Sequence, residues 1–227
     1  MSVTTPRPVL HDYWRSSASY RVRIALNLKG IGFDRVPVDL VAGDHRHPKH
    51  LSVNPQGLVP ALEIDGLVLT QSLAILEYLE ESRPQPALLP ANPAARAHVR
   101  ALSLAVACEI HPISNLAVLA RVGALAGETA RTGWNRDNIA GGLQAIETML
   151  NDSGFTGRFC HGDLPTMADC TLIPQLYNAH RWDVSVAHLP RISAVARTCS
   201  THPAFAAAHP DQFDPSQEAK AIQGEKA

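Results

Sequence analysis

Two places in this sequence set side-chain hydroxyls directly ahead of a helical pattern. Ser16 and Ser17 precede a run in which Val22, Ala25, Leu26 and Leu28 recur at helical spacing and which stops at Gly30. Gln71 and Ser72 precede a second run, with Leu73, Leu76 and Leu79 on one face. The first turn of a helix carries main-chain N–H groups without partners and the positive end of the helix dipole, so an anion is stabilised there. A thiol held at such a position ionises more readily, because the thiolate is the favoured form. A serine O–H adds a hydrogen bond to the sulfur. The head of the second run suits a carboxylate. Ser17 and Ser72 also have a plainer reading, as helix caps.

Arginine grips carboxylates through paired donors. Arg15 adjoins the first serine pair, and Arg181 closes a later helical pattern. For each the alternative is a surface ion pair. His45, His47 and His50 lie in a polar stretch, 41–54, with no carboxylate or thiol cluster at ligand spacing, so no metal is expected. His111 and Asn115 are four apart and would share a helix face, although Pro112 would bend it. Cys108, Cys160, Cys170 and Cys199 form no C-x-x-C pair, which argues against a zinc cluster or redox dithiol. They read as reduced thiols of a cytosolic protein.

The elements that would hold these residues fall into two groups. Strands are expected at 9–14, 33–40 and 59–65 and at Leu67–Thr70, with Asp65-Gly66 as a hairpin turn between the last two. Helices over about 17–29 and 72–81, and a short one within 41–54, complete a β-α-β-α-β-β-α order, that of a small α/β sheet domain of thioredoxin-like kind. Residues 84–93 hold Pro84, Pro86, Pro90 and Pro93 and read as a linker between domain 1–83 and a second domain. Helical patterns then dominate, at 94–125 and 132–151, at Met167–Arg181 and at 192–202, giving an all-helical domain over 94–210. Thr166 and Asp169 form a capping box for the third of these. The polar stretch 211–227 reads as a flexible tail.

The chain has 227 residues, 45% hydrophobic and 18% charged, with formal charge -1. That is an ordinary globular mixture without the global field expected of a nucleic-acid or membrane binder. The first eight residues have no apolar run, so no signal peptide is expected, and no stretch of 18 apolar residues appears.

Three blocks carry a resemblance. They are Trp14-Arg15-Ser16-Ser17-Ala18-Ser19-Tyr20-Arg21-Val22-Arg23; Asn54-Pro55-Gln56-Gly57-Leu58-Val59-Pro60 with Gln71-Ser72; and Thr166-Met167-Ala168-Asp169-Cys170 continuing through Pro174-Gln175 to Asn178-Ala179-His180-Arg181. From about residue 9 to about residue 191 the chain resembles the zeta-class glutathione transferases and bacterial maleylacetoacetate isomerases. The resemblance implies the glutathione transferase fold, a thioredoxin-like domain followed by a helical bundle. It implies glutathione as cofactor, Ser16 and Ser17 as the catalytic hydroxyls, and His45, Val59, Gln71, Ser72 and Ser114 as cofactor-binding residues. Val59 would contribute main-chain groups beside a cis-proline turn at Pro60. Arg15, Arg181, His111 and Asn115 would bind a dicarboxylate substrate. Tyr13 and Tyr20 are rival hydroxyls, since other transferase classes use tyrosine.

The implied reaction is cis–trans isomerisation of maleylacetoacetate in aromatic amino acid catabolism, by a cytoplasmic homodimer. Alternatives are a maleylpyruvate isomerase, a conjugating or dehalogenating transferase, and a glutathione-binding protein without turnover. Leu116 and Ala117, where maleylpyruvate isomerases can have arginines, favour maleylacetoacetate. Ala18 stands where the class often has cysteine, so the nucleophile would be the bound tripeptide's sulfur.

Overall fold

The computed structural model describes residues 6–151 and 154–216. It divides into two compact units, one comprising the residues up to Pro86 together with those from Pro203 onward, the other spanning Ala87–His202.

The first unit is built on a four-stranded mixed sheet in the order β2-β1-β3-β4. β1 (Val9–Asp12) pairs in parallel with β2 (Asp34–Pro37), Val9 opposite Asp34. β3 (Ala61–Ile64) runs antiparallel to both β1 and β4 (Leu67–Thr70), with Leu62 opposite Leu10 on one side and Leu69 on the other. Asp65 and Gly66, both at positive φ, close the β3–β4 hairpin as expected. α1 (Ser17–Leu28) begins where the side chain of Ser16 accepts from Ser19 N, and the chain reverses at Gly30, φ 67°. Val22, Ile24, Ala25 and Leu26 of α1 are fully buried with Leu10 and Leu62 of the sheet and with Ile75, Leu76 and Leu79 of α3 (Ser72–Ser82). Each of the valine, isoleucine and leucine side chains contributes about 1.5–3 kcal/mol on burial. β2 lies at the sheet edge, so Phe33, Val36 and Leu40 are only half-buried while Val38 is buried. A single turn, α2 (Pro48–Leu51), is capped by His47, whose Nδ1 accepts from Lys49 N.

The second unit is helical: α4 (Pro93–Leu104), α5 (Leu116–Met149), α6 (Met167–Arg181) and α7 (Pro190–Ser200). The continuous helix expected over 94–125 does not form. α4 passes into a π-helical stretch, Ala105–Ile110, and a 3₁₀ turn, Pro112–Ser114, before α5 starts afresh. Pro112 has no N–H to continue the ladder, and Asn115 is extended (φ -79°, ψ 164°). α5 in turn bends at Gly127, whose φ of 86° and ψ of 171° are non-helical. The Thr166–Asp169 capping box is present, and Asp169 Oδ1 also accepts from Cys160 N at 2.8 Å.

The proline-rich stretch is tied down on both sides of the unit boundary. The Lys29 ammonium donates to Glu80 (3.0 Å) and to the carbonyls of Arg83 and Pro86 (2.7 and 2.6 Å). Leu88 and Leu89 are buried, and Leu88 O accepts from Met167 N at 2.8 Å.

The chain after residue 202 rejoins the first unit, whereas the sequence reading extends the helical domain to 210. α8 (Pro203–Ala208) packs on α1, and a 3₁₀ turn follows at Pro210–Phe213. Of the expected tail, 217–227 lies outside the described residues. No single described helix is long and apolar enough to cross a membrane.

Candidate active site

Strand register gathers three of the sequence-selected segments at one end of the sheet. β1 runs towards Asp12; β3 starts antiparallel to it with Ala61 opposite His11; β4 ends with Thr70 opposite that same Ala61. Residues 13–17, Val59-Pro60 and Gln71-Ser72 therefore all leave the sheet at that end. β2 is parallel to β1, so its following loop, which carries His45, leaves there too. Tyr13, Val59 and Val38 pack together, with Trp14 and Leu40 against them. The heads of α1 and α3 are joined by Arg21, whose Nη1 donates to Ser72 Oγ at 3.1 Å.

At the head of α1, the N-cap is Ser16 rather than Ser17: Ser16 Oγ accepts from Ser19 N at 3.2 Å. Capping uses an oxygen lone pair and leaves the Ser16 O–H proton able to donate. Ser17, the first helical residue, is buried. Arg15 is half-buried; its Nε and Nη2 donate to Tyr13 Oη at 3.2 and 2.8 Å, and its guanidinium lies over the Trp14 ring at 5.0 Å. The Tyr13 hydroxyl is thus engaged with Arg15.

At the head of α3, Gln71 sits at φ 66°, ψ 112°, a strained conformation for a residue with a side chain. Its side-chain amide donates to Gln56 at 2.8 Å instead of capping the helix. Ser72 is buried. The Val59–Pro60 peptide is cis. His50 Nε2 and Asn54 Nδ2 both bond Leu58 O, at 2.9 and 2.8 Å, fixing the segment before Val59. The N–H and C=O of Val59 make no hydrogen bond among the described residues.

His45 lies half-buried in a 3₁₀ turn, Asp44–Arg46, its Nδ1 enclosed without a partner. Burial lowers its pKa from the usual imidazole value, and Arg46 and then His50 lower it further. Gly57, φ 62°, passes so close that an added Cβ would lie 3.1 Å from His45 O. His47 and His50 have the structural roles described above. No group of three or more metal-ligating side chains occurs among the described residues.

The amino-terminal part of the chain, residues 9–81, matches the glutathione S-transferase N-terminal domain. The maleylacetoacetate isomerase of Rhizobium meliloti (strain 1021) is 60% identical over 209 residues, 91% of this chain and 98% of that protein. This chain belongs to the zeta class of the glutathione S-transferases. A zeta-class maleylpyruvate isomerase solved in its holo form superposes with TM-score 0.86 at 43% identity, covering 89% of this chain and 96% of that one. A maleylacetoacetate isomerase from Methylobacterium extorquens AM1, solved with bound malonate and glutathione, gives TM-score 0.85 at 43% identity over 89% and 96%.

In the helical unit of this zeta-class chain, His111 and Asn115 do not share a helix face. His111 closes the π-helical stretch, and Asn115 is the N-cap of α5, its Oδ1 accepting from Val118 N at 3.0 Å and its Nδ2 donating to Pro112 O at 2.7 Å. Ser114 lies in the intervening 3₁₀ turn with its hydroxyl enclosed and unpartnered. Arg181 is the exposed last residue of α6.

The sequence reading gave no site role to Arg23 or Asp12. Both are fully buried and paired, Arg23 Nη1 lying 2.8 Å from each oxygen of Asp12. Burial lowers the Arg23 pKa and Asp12 opposes this. The available signal was a cation set between Val22 and Ile24-Ala25-Leu26, inside an otherwise apolar run.

Proposed function

We propose that this transferase is a glutathione-dependent cis–trans isomerase that converts maleylacetoacetate to fumarylacetoacetate. The observation that carries the reading is the convergence, at one sheet end, of two helix heads with an unpartnered main-chain N–H and C=O at Val59. Glutathione has a thiol, two carboxylates and an extended peptide, and this donor set fits it group by group. The half-buried imidazole of His45, in the loop that follows β2, is proposed for the glycine carboxylate. Val59 fits the cysteinyl main chain, like an added strand. Gln71 and Ser72 fit the γ-glutamyl end. When bound, glutathione supplies a sulfur nucleophile that adds reversibly to the conjugated cis double bond.

The chain's own residues do the rest. Ser17 and the uncommitted O–H of Ser16 hold the sulfur as an anion at the positive end of α1. Ala18 offers no thiol, so the protein contributes no rival nucleophile at that turn. Arg15, steadied by Tyr13 and Trp14, keeps its Nη1 donors for a substrate carboxylate. Arg181 is proposed for the second carboxylate. Ser114 and His111 are proposed to contact cofactor and substrate, whereas Asn115 acts through the cap that fixes their turn.

We propose a cytoplasmic homodimer, supported by exposed apolar side chains such as Leu67 and Val68 on β4. A mass in solution near that of one 24.5 kDa chain would refute the dimer.

The decisive assay follows maleylacetoacetate with and without glutathione, using the full chain. The expected result is turnover only with glutathione, and equal rates in both mixtures would refute the reading. Maleylpyruvate measured alongside gives the specificity, with the larger kcat/KM expected for maleylacetoacetate.

A further inference from the structure

The guanidinium of Arg23 is shared among three parts of the first unit. Nη1 is bound to Asp12, the last residue of β1; Nη2 donates to Trp14 O at 2.9 Å; Nε donates to Ala208 O at 3.1 Å. Trp14 belongs to the turn that delivers Arg15, Ser16 and Ser17. A side chain from within α1 thus holds the main chain of the turn that leads into α1. Ala208 ends α8, near the far end of the chain. The Phe213 ring lies against two cations that share Asp12, 4.6 Å from Arg23 Cζ and 4.5 Å from Arg35 Cζ, and Arg35 Nε donates to Asp12 Oδ2 at 2.8 Å. An ion pair buried this completely is not the cheapest way to hold a fold together, since well-packed apolar groups of similar volume often do as well or better. What apolar groups cannot do is fix a carbonyl at a set distance from a strand end.

We propose that Arg23 is a positioning residue for the sulfur-anion site, and that the C-terminal segment reaching Phe213 holds it in register. The C-terminal segment thereby sets how strongly the turn stabilises a thiolate. The inference rests on the reading of Ser16 and Ser17 given above.

Two full-chain variants test it. Phe213→Leu keeps most of the apolar volume but removes the π face that meets the two cations. Arg23→Lys keeps the charge but replaces a planar fork with a point charge that cannot bridge Asp12, Trp14 and Ala208 together. Two readouts are taken: the pKa of protein-bound glutathione thiol, from its thiolate ultraviolet absorbance, and amide hydrogen exchange over residues 14–19. The expected result is a rise in bound-thiol pKa of about one unit for Arg23→Lys, a tenfold loss of thiolate preference. A smaller rise in the same direction is expected for Phe213→Leu, with faster exchange at 14–19 in both. Wild-type values of both quantities in either variant, whatever its Tm, would overturn the proposal. Phe213→Leu decides alone should Arg23→Lys fail to fold. If the wild-type protein gives no thiolate absorbance with glutathione, the sulfur-site reading falls. The exchange measurement, which needs no ligand, still decides whether Arg23 fixes the turn.

Discussion

Replacing Asp169 with alanine removes a carboxylate that accepts three hydrogen bonds, from Thr166 N at 2.7 Å and from Thr166 Oγ1 and Cys160 N at 2.8 Å. Asp169 and Cys160 are buried, so the orphaned main-chain donors would have no ready access to bulk water. Hydrogen bonds to an ionised acceptor contribute about 1.5–3 kcal/mol each, which sets a gross loss of about 5–9 kcal/mol. Burial opposes this: it raises the Asp169 pKa above the ordinary carboxylate value despite the hydrogen bonds, so part of the gain is spent on desolvation. The net loss should be about 3–5 kcal/mol, since each buried donor left without an acceptor costs about 1–3 kcal/mol. For a chain of this size that corresponds to a fall in Tm of roughly 6–20 °C. Thermal unfolding at neutral pH measures it. Asp169→Asn, which keeps one acceptor oxygen, should fall between wild type and alanine. A loss below about 1 kcal/mol for Asp169→Ala would mean that the capping box and its tie to Cys160 do not hold α6 in the way described.

Three further outcomes are expected. Ser17→Ala should lower the glutathione-dependent isomerase kcat by about 10²-fold, the usual cost of removing one preorganised donor to a stabilised anion, and an unchanged kcat would refute its role. His45→Ala should weaken glutathione binding about 10–100-fold at pH 6. Because burial depresses the free imidazole, the charged form is gained only when a carboxylate binds, so the deficit should shrink as pH rises towards 8; calorimetric titrations giving a pH-independent ratio would refute it. A thiol reagent applied to the native protein should label Cys108 alone, since Cys160, Cys170 and Cys199 are buried and burial pushes the Cys160 and Cys199 thiols far up. Mass mapping of fast modification on any of those three would contradict the packing.

Sequence alone determined those features whose partners lie within a few residues along the chain. The β3–β4 turn follows from Asp65-Gly66, and the α6 cap from Thr166 and Asp169, because a turn or a cap is completed by main-chain groups two to four residues away. The three blocks carrying the family resemblance were equally legible, whereas the gathering of the two helix heads at one sheet end came from strand register. The face expected for His111 and Asn115 failed at the same local level: Asn115 found a nearer use in capping α5. Tertiary structure decided what depends on partners far apart in sequence. Arg23 and Ala208 are 185 positions apart, and no spacing rule connects them. A buried cation must take its acceptors from whatever main chain packs around it, so the return of residues 203–213 to the first unit, and the hold it gives on the turn before Ser16, exist only once the chain has folded.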